Sequence, residues 1–306
     1  MDDRQASKAQ DTVEVTLGER TVRVPAGGLF DRYRMQADLD QVARDPRVAG
    51  VEFFRNQPKV QVQSNIGSTF TPNFSYAMSN ARLTMIARTR AIRRRLPREL
   101  EPLQIAPGFG LVSVMLFRYD VADIDFSTEA AVGIAVKPAR YGRLGAVDLL
   151  AALKNDHLDS YVLSLPVNTD IAQVRGHDGY GFPKWVTEIA IDIDDRTTFG
   201  RITNDAGGTD LELRAPTPRQ TKHRSGTAVS SLNSYTEFGG GWHTTFSQTN
   251  ALSSGTQMFP RDIDLTLGEG RLSDDLRSLS PVRNLRLDVM TTGQLALHMP
   301  TVISIG

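Results

Sequence analysis

The sequence predicts a mainly β fold, α+β in class, built on an antiparallel sheet that closes into a barrel or curls strongly. Three observations carry this expectation. Short runs rich in Val, Ile, Leu and Thr recur along the chain, bounded by Gly, Pro, Asn or Asp. Helical periodicity is confined to a few short segments. The strands do not alternate with helices as they would around a parallel sheet, and closure removes the exposed edges that so many strands would otherwise leave.

Residues 13–17 and 21–24 alternate around Gly18 and read as a hairpin. Residues 38–45 predict a short helix ended at Pro46, and 68–74, with Thr, Pro and Asn, read as a loop. A strand at 82–88 precedes a short helix at 90–96, stopped at Pro97. Longer strands follow at 110–120 and 130–136. Residues 145–154 form the clearest amphipathic helix, with Val147, Leu149, Leu150 and Leu153 on one side. Strands at 161–166 and 186–193 flank a glycine-rich loop. Residues 199–203 and 210–214 predict an antiparallel pair joined through Gly207-Gly208. Residues 216–231 read as a polar surface loop. Gly239-Gly240-Gly241, within 235–246, marks a bulge, a bend or close approach to a ligand. The last strands are expected at 262–267, 285–290 and 294–299.

The chain has 306 residues, 40% hydrophobic and 23% charged, which suits a soluble globular protein with a sizeable core. Its 35 basic and 35 acidic side chains balance. That argues against a nucleic-acid binder and against a polybasic membrane-surface protein. The absence of cysteine excludes disulfides, thiolate nucleophiles and cysteine metal sites, and fits a reducing cytoplasm. The polar start lacks the apolar core of a signal peptide, and no apolar run approaches membrane-spanning length. The expectation is a cytoplasmic protein whose residues 1–12 are disordered.

Phosphate-loop, dinucleotide-binding and nucleophile-elbow motifs are missing. The five histidines are scattered without the His-x-x-x-His spacing of a helical metal site, so no metal is expected. Arg93-Arg94-Arg95 reads as a solvated helix face.

The most informative stretch is Gly176-His177-Asp178-Gly179-Tyr180-Gly181-Phe182-Pro183-Lys184-Trp185. It sets one lysine between an aromatic-proline pair and an indole, where an apolar strand is expected to begin. Only six lysines occur in the chain. Desolvation disfavours an ammonium, and a neutral lysine is a nucleophile whose natural chemistry is Schiff-base formation with a carbonyl. Gly179 and Gly181 allow the sharp turn that presents it. Asp178 is expected to orient the loop through its backbone. Tyr180, Tyr76 and Tyr235 are further hydrogen-bond donors of interest.

Gly176-x-Asp178-x-x-x-Phe182-Pro183-Lys184 resembles the active-site segment of the acetoacetate decarboxylase superfamily. Ser127-Thr128-Glu129, followed by Gly133-Ile134-Ala135-Val136, resembles that family's upstream Tyr-Thr-Glu turn. Residues 276–282, 285–290 and 297–300 resemble its closing segment, and 82–97 its opening strand and helix. The resemblance covers 74–306 and leaves 13–73 as an N-terminal extension. It implies a closed or cone-like β-barrel with flanking helices, and homo-oligomers. It also implies a cofactor-free lyase that acts on a β-keto acid or related oxo acid, most directly by decarboxylation through a lysine imine. An aldolase-dehydratase or cyclase using the same lysine, and a barrel that binds a small ligand without turnover, are the alternatives. By resemblance, Lys184 is the Schiff-base residue and Glu129 the carboxylate that organises the pocket. Phe182, Trp185, Arg82, Arg88 and Tyr235 are the expected substrate-binding residues. The family's decarboxylases carry a second lysine after the nucleophile, where this chain has Trp185. A second family carboxylate falls near Val114 and is absent.

Overall fold

The computed structural model describes residues 11–138 and 157–305. The amphipathic helix expected at 145–154 and most of the expected disordered N-terminus lie outside the described residues.

Seven strands close into a barrel. In chain order they are β1 (Asn73–Arg88), β2 (Phe109–Ala122), β3 (Ser127–Pro138), β4 (His157–Ser164), β5 (Val229–Phe238), β6 (Gly241–Met258) and β7 (Pro281–Leu297). Each pairs with the next, and β7 returns to β1. Six of these pairings are antiparallel. The exception is β4 against β5, which run parallel with Tyr161 opposite Tyr235. The barrel is therefore mixed rather than wholly antiparallel. The chain between β4 and β5 leaves the barrel, and this lets β5 re-enter in the same direction as β4.

Period-two alternation explains the barrel's two faces. On β2, Val112, Val114 and Leu116 point outward into the main core, while Met115, Phe117 and Tyr119 line the interior. The outer face packs against a four-stranded antiparallel sheet of Ile189–Ile193, Thr197–Thr203, Thr209–Pro216 and Asp264–Leu267. Helix Arg271–Ser278 adds Leu272 and Leu276 to that core. Asp210 caps this helix, accepting from Leu272 N at 3.0 Å and Ser273 N at 2.8 Å.

The N-terminal hairpin, Thr12–Leu17 with Arg20–Pro25, forms as the alternation predicts. With Phe30, Met35 and Ile66 it packs on Ile124, Val167 and helix Asp170–Val174. The extension thus rests against the element that leads into the lysine loop. Lys59 is buried there, 2.5 Å from Asp123 Oδ2 and 4.6 Å above the Phe74 ring.

Four sequence expectations change. Residues 68–74 are not a loop: Gly67–Thr71 pairs with Val60–Ser64, and β1 starts at Asn73. Pro72 lies between the two strands, so the turn-like residues mark a boundary. Helix Arg271–Ser278 was not expected. Within 216–231, Thr221–Lys222 pairs with β6 and β5 begins at Val229. The strands expected at 285–290 and 294–299 are one strand, β7, irregular between Met290 and Leu295. The triple glycine makes the β5–β6 hairpin turn, with φ of 60° at Gly239 and 77° at Gly240.

Candidate active site

A cavity of about 400 Å³ occupies the barrel interior. The local folding of residues 165–187 explains how Lys184 reaches it. Helix Asp170–Val174 is N-capped by Thr169, whose side chain accepts from Ala172 N. It widens into a π-turn over Arg175–Gly179. Gly181 reverses the chain with φ of 73°, and Phe182 N donates to Gly176 O at 2.9 Å, closing the loop. Residues 183–187 then run beside 165–167. Leu165 N donates to Pro183 O at 3.3 Å, and Val167 N to Trp185 O at 2.9 Å. Val167 in turn bridges Glu129 on β3. Three adjacent segments therefore bring Lys184 to Glu129.

Lys184 Nζ donates to Glu129 Oε1 at 2.5 Å, and the two side chains are only 8% and 10% exposed. The aliphatic stem of Lys184 crosses Gly176 so closely that a Cβ there would collide with Cδ and Cε. Tyr119, two residues from Phe117 on the same face, lies against Glu129. Burial first, and then the Glu129 charge and hydrogen bonding, hold its phenol well above the usual range.

Five buried polar atoms at the cavity lack a hydrogen-bond partner among the described residues: Arg175 Nη2, Tyr180 Oη, Ser127 Oγ, Arg82 Nε and Asn73 Oδ1. Such atoms are rare in folded proteins, and each calls for an explanation. Arg175 is 3% exposed and is anchored from behind, Nη1 donating to Thr69 Oγ1 at 3.0 Å. Tyr180 stacks on Phe182 with ring centroids 6.1 Å apart. Burial raises its phenol pKa, and the charge and hydrogen bonding of the nearby Arg175 oppose that shift. Tyr180 and Arg175 are thus direct neighbours, and Tyr180 Oη and Arg175 Nη2 have no other partner among the described residues.

Of the residues expected from sequence, Lys184, Glu129, Phe182 and Arg82 line the cavity. Arg82 pairs with Asp288, Nη2 to Oδ2 at 3.3 Å. Trp185, Arg88 and Tyr235 do not line it. Trp185 faces the opposite side of an extended segment from Lys184, and its ring lies 4.2 Å beneath the Arg271 guanidinium. Arg88 ends β1 and is exposed. Tyr235 is on the outward parity of β5 and is buried in the core beneath the second sheet, while its neighbour Ser234 faces inward. Tyr76 donates to Asp123 Oδ1 at 2.7 Å instead of reaching the cavity. Asp178 binds His177 at 2.7 Å and lies 3.7 Å from Arg20, joining the lysine loop to the N-terminal hairpin.

Sequence reasoning missed Tyr119 and Arg175. Tyr119 shares the inward parity of Met115 and Phe117, so alternation on β2 carried a signal for it. Arg175 follows the apolar run Ile171-Ala172-x-Val174, an unusual place for a guanidinium unless it is paired or used.

Comparison with solved structures gives the same fold at low identity. The enduracididine biosynthesis enzyme MppR, complexed with the condensation product of pyruvate and imidazole 4-carboxaldehyde, is 17% identical, with a TM-score of 0.52 over 77% of this chain and 90% of that one. The same enzyme complexed with pyruvate gives 17% and 0.51 over 76% and 91%. Acetoacetate decarboxylase from Legionella pneumophila gives 14% and 0.51 over 76% and 87%. A search of the curated proteins gives no match. The family model described as acetoacetate decarboxylase (ADC) matches residues 63–303, well over half of the sequence. With its closed barrel, this chain belongs to the acetoacetate decarboxylase family.

Proposed function

We propose that the chain is a lyase that forms a Schiff base through Lys184 with an oxo acid, and that its principal reaction is decarboxylation of a β-keto acid. One observation carries this reading: the buried Lys184–Glu129 pair faces the barrel cavity, which also presents uncommitted donors.

Glu129 takes a proton from the Lys184 ammonium, and the freed amine attacks the substrate ketone carbon. The carbinolamine oxygen leaves as water, taking back the proton from Glu129, and the iminium forms. Arg175 Nη2 and Tyr180 Oη supply hydrogen bonds for the substrate carboxylate. The bond to the carboxyl carbon then breaks. Its electron pair forms the enamine double bond, the iminium nitrogen is neutralised, and carbon dioxide departs. Protonation at carbon and addition of water release the ketone and restore the amine. The step from iminium and carboxylate to enamine and carbon dioxide destroys two charges. The apolar walls of Phe117, Leu165 and Phe182 favour that direction.

A second reading keeps the imine and makes a carbon–carbon bond instead. Arg175 and Tyr180 favour it, because donors that hold a carboxylate also suit a 2-oxo acid that keeps its carboxylate. A fold relative is complexed with pyruvate and with a pyruvate condensation product. Incubating the protein with 3-oxo acids, and separately with pyruvate plus an aldehyde, separates the two. Carbon dioxide release from the 3-oxo acids supports decarboxylation. A condensation product without that release supports the second reading, and neither product in any incubation rejects both.

A further inference from the structure

The cavity has a second polar end, built by groups that the imine chemistry does not use. On β1, Arg82 faces inward; Asp288 lies opposite it on β7. Asp288 accepts three hydrogen bonds: Oδ1 from Arg286 Nε at 2.6 Å and Thr256 Oγ1 at 2.7 Å, and Oδ2 from Arg82 Nη2 at 3.3 Å. Two guanidiniums thus share one carboxylate, leaving a net positive charge. Arg82 Nε is buried without a partner, and the Arg82 side chain is 30% exposed. The wall on this side is hydroxyl-rich, with Ser230, Ser231, Thr249 and Ser254, in contrast to the aromatic and aliphatic wall near Lys184.

The strand register sets the spacing. Glu129 is opposite Phe117, Phe117 is opposite Asn80, and Arg82 lies two residues beyond Asn80 on the same face. Two strand spacings and one two-residue rise separate the Glu129 and Arg82 Cα atoms by about 12 Å along the wall.

We infer that Arg82, backed by the Asp288–Arg286 pair, forms an anion subsite, and that the substrate is an oxo acid with a second carboxylate at the far end of a short methylene arm. This inference rests on the Lys184 reading for the reacting end of the substrate. The arm is short because Lys184 Nζ lies beside Glu129 Oε1, and only two strand spacings and one two-residue rise part Glu129 from Arg82. A guanidinium is suited to this role because it offers several donors in a fixed plane and stays charged while half-buried.

The test compares 2-oxoheptanedioate with 2-oxoheptanoate, which differ only at the distal end. Half-saturation is read from the yield of adduct trapped with borohydride. The diacid is expected to half-saturate at a concentration at least tenfold lower. Arg82→Gln is expected to bring the ratio to within twofold, and Arg82→Lys to restore part of it. Circular dichroism and melting confirm the fold, because Asp288 keeps Arg286 and Thr256. Equal half-saturation of the two acids in the wild type, or an undiminished ratio in Arg82→Gln, overturns the subsite. A second arm removes the imine. Calorimetric titration of heptanedioate into Lys184→Gln is expected to show binding that Arg82→Gln abolishes. Binding in this arm with no trapped adduct in the first leaves the subsite standing and rejects the Lys184 reading. Trapped adducts without a diacid preference do the reverse.

Discussion

Lys184 and Glu129 are 55 residues apart in sequence, yet Nζ lies 2.5 Å from Oε1 with both side chains nearly sealed from solvent. A buried pair of this kind is poor evidence for stability, because desolvation offsets much of the attraction. Its position at the cavity makes proton exchange between the two groups the more informative role.

Glu129→Gln keeps the shape and removes the base. The expected loss in turnover is about 10²–10⁴-fold, the usual contribution of a positioned acid–base group. The rate of adduct formation with an oxo acid and borohydride measures it. A loss below threefold would assign Glu129 a purely structural role.

Gly176→Ala tests the close crossing of the loop over itself. The new Cβ collides with the Lys184 stem and must displace it. Adduct yield is expected to fall at least tenfold, with destabilisation of about 1–3 kcal/mol from overpacking. Adduct mass and denaturant midpoint are read on the same sample; wild-type yield contradicts the geometry.

The fold's strand pattern was largely legible, because parity alone separates Val114 and Leu116 from Met115 and Phe117. The site was legible in its sharpest part, Phe182-Pro183-Lys184 with Glu129. The parallel β4–β5 pairing was not, since it depends on partners 74 positions apart, as for His157 and Ser231. Trp185 looked like a pocket wall because sequence adjacency says nothing about which face of an extended segment a residue takes. Arg271, which receives its ring, lies 86 residues later.

Lys59→Met leaves Asp123 buried without its cation. The expected cost is about 3–5 kcal/mol at neutral pH. Burial already holds the Asp123 carboxyl above its usual pKa, with Lys59 opposing the shift. In the variant, folding therefore takes up a proton, and stability falls as pH rises through the raised folded value. Urea titrations are expected to show a larger deficit at pH 8 than at pH 5. An equal deficit at both would contradict a charged Asp123.

His298 gives the opposite slope. Burial lowers its pKa below 6.5, and Nε2 has no partner. As pH falls below 6.5 the unfolded chain binds the proton first, so the folded state loses stability until pH passes the lowered folded value. Melting temperatures at pH 7 and pH 5 are expected to differ more in the wild type than in His298→Gln. Parallel decreases would remove His298 from the account.

The central claim is that Lys184 forms the imine. Borohydride is added to the protein with an oxo acid, and the digest is mapped by mass spectrometry. The account predicts one reduced adduct, on Lys184, that is lost in Lys184→Gln. An adduct on another lysine, or turnover in Lys184→Gln equal to wild type, would contradict it.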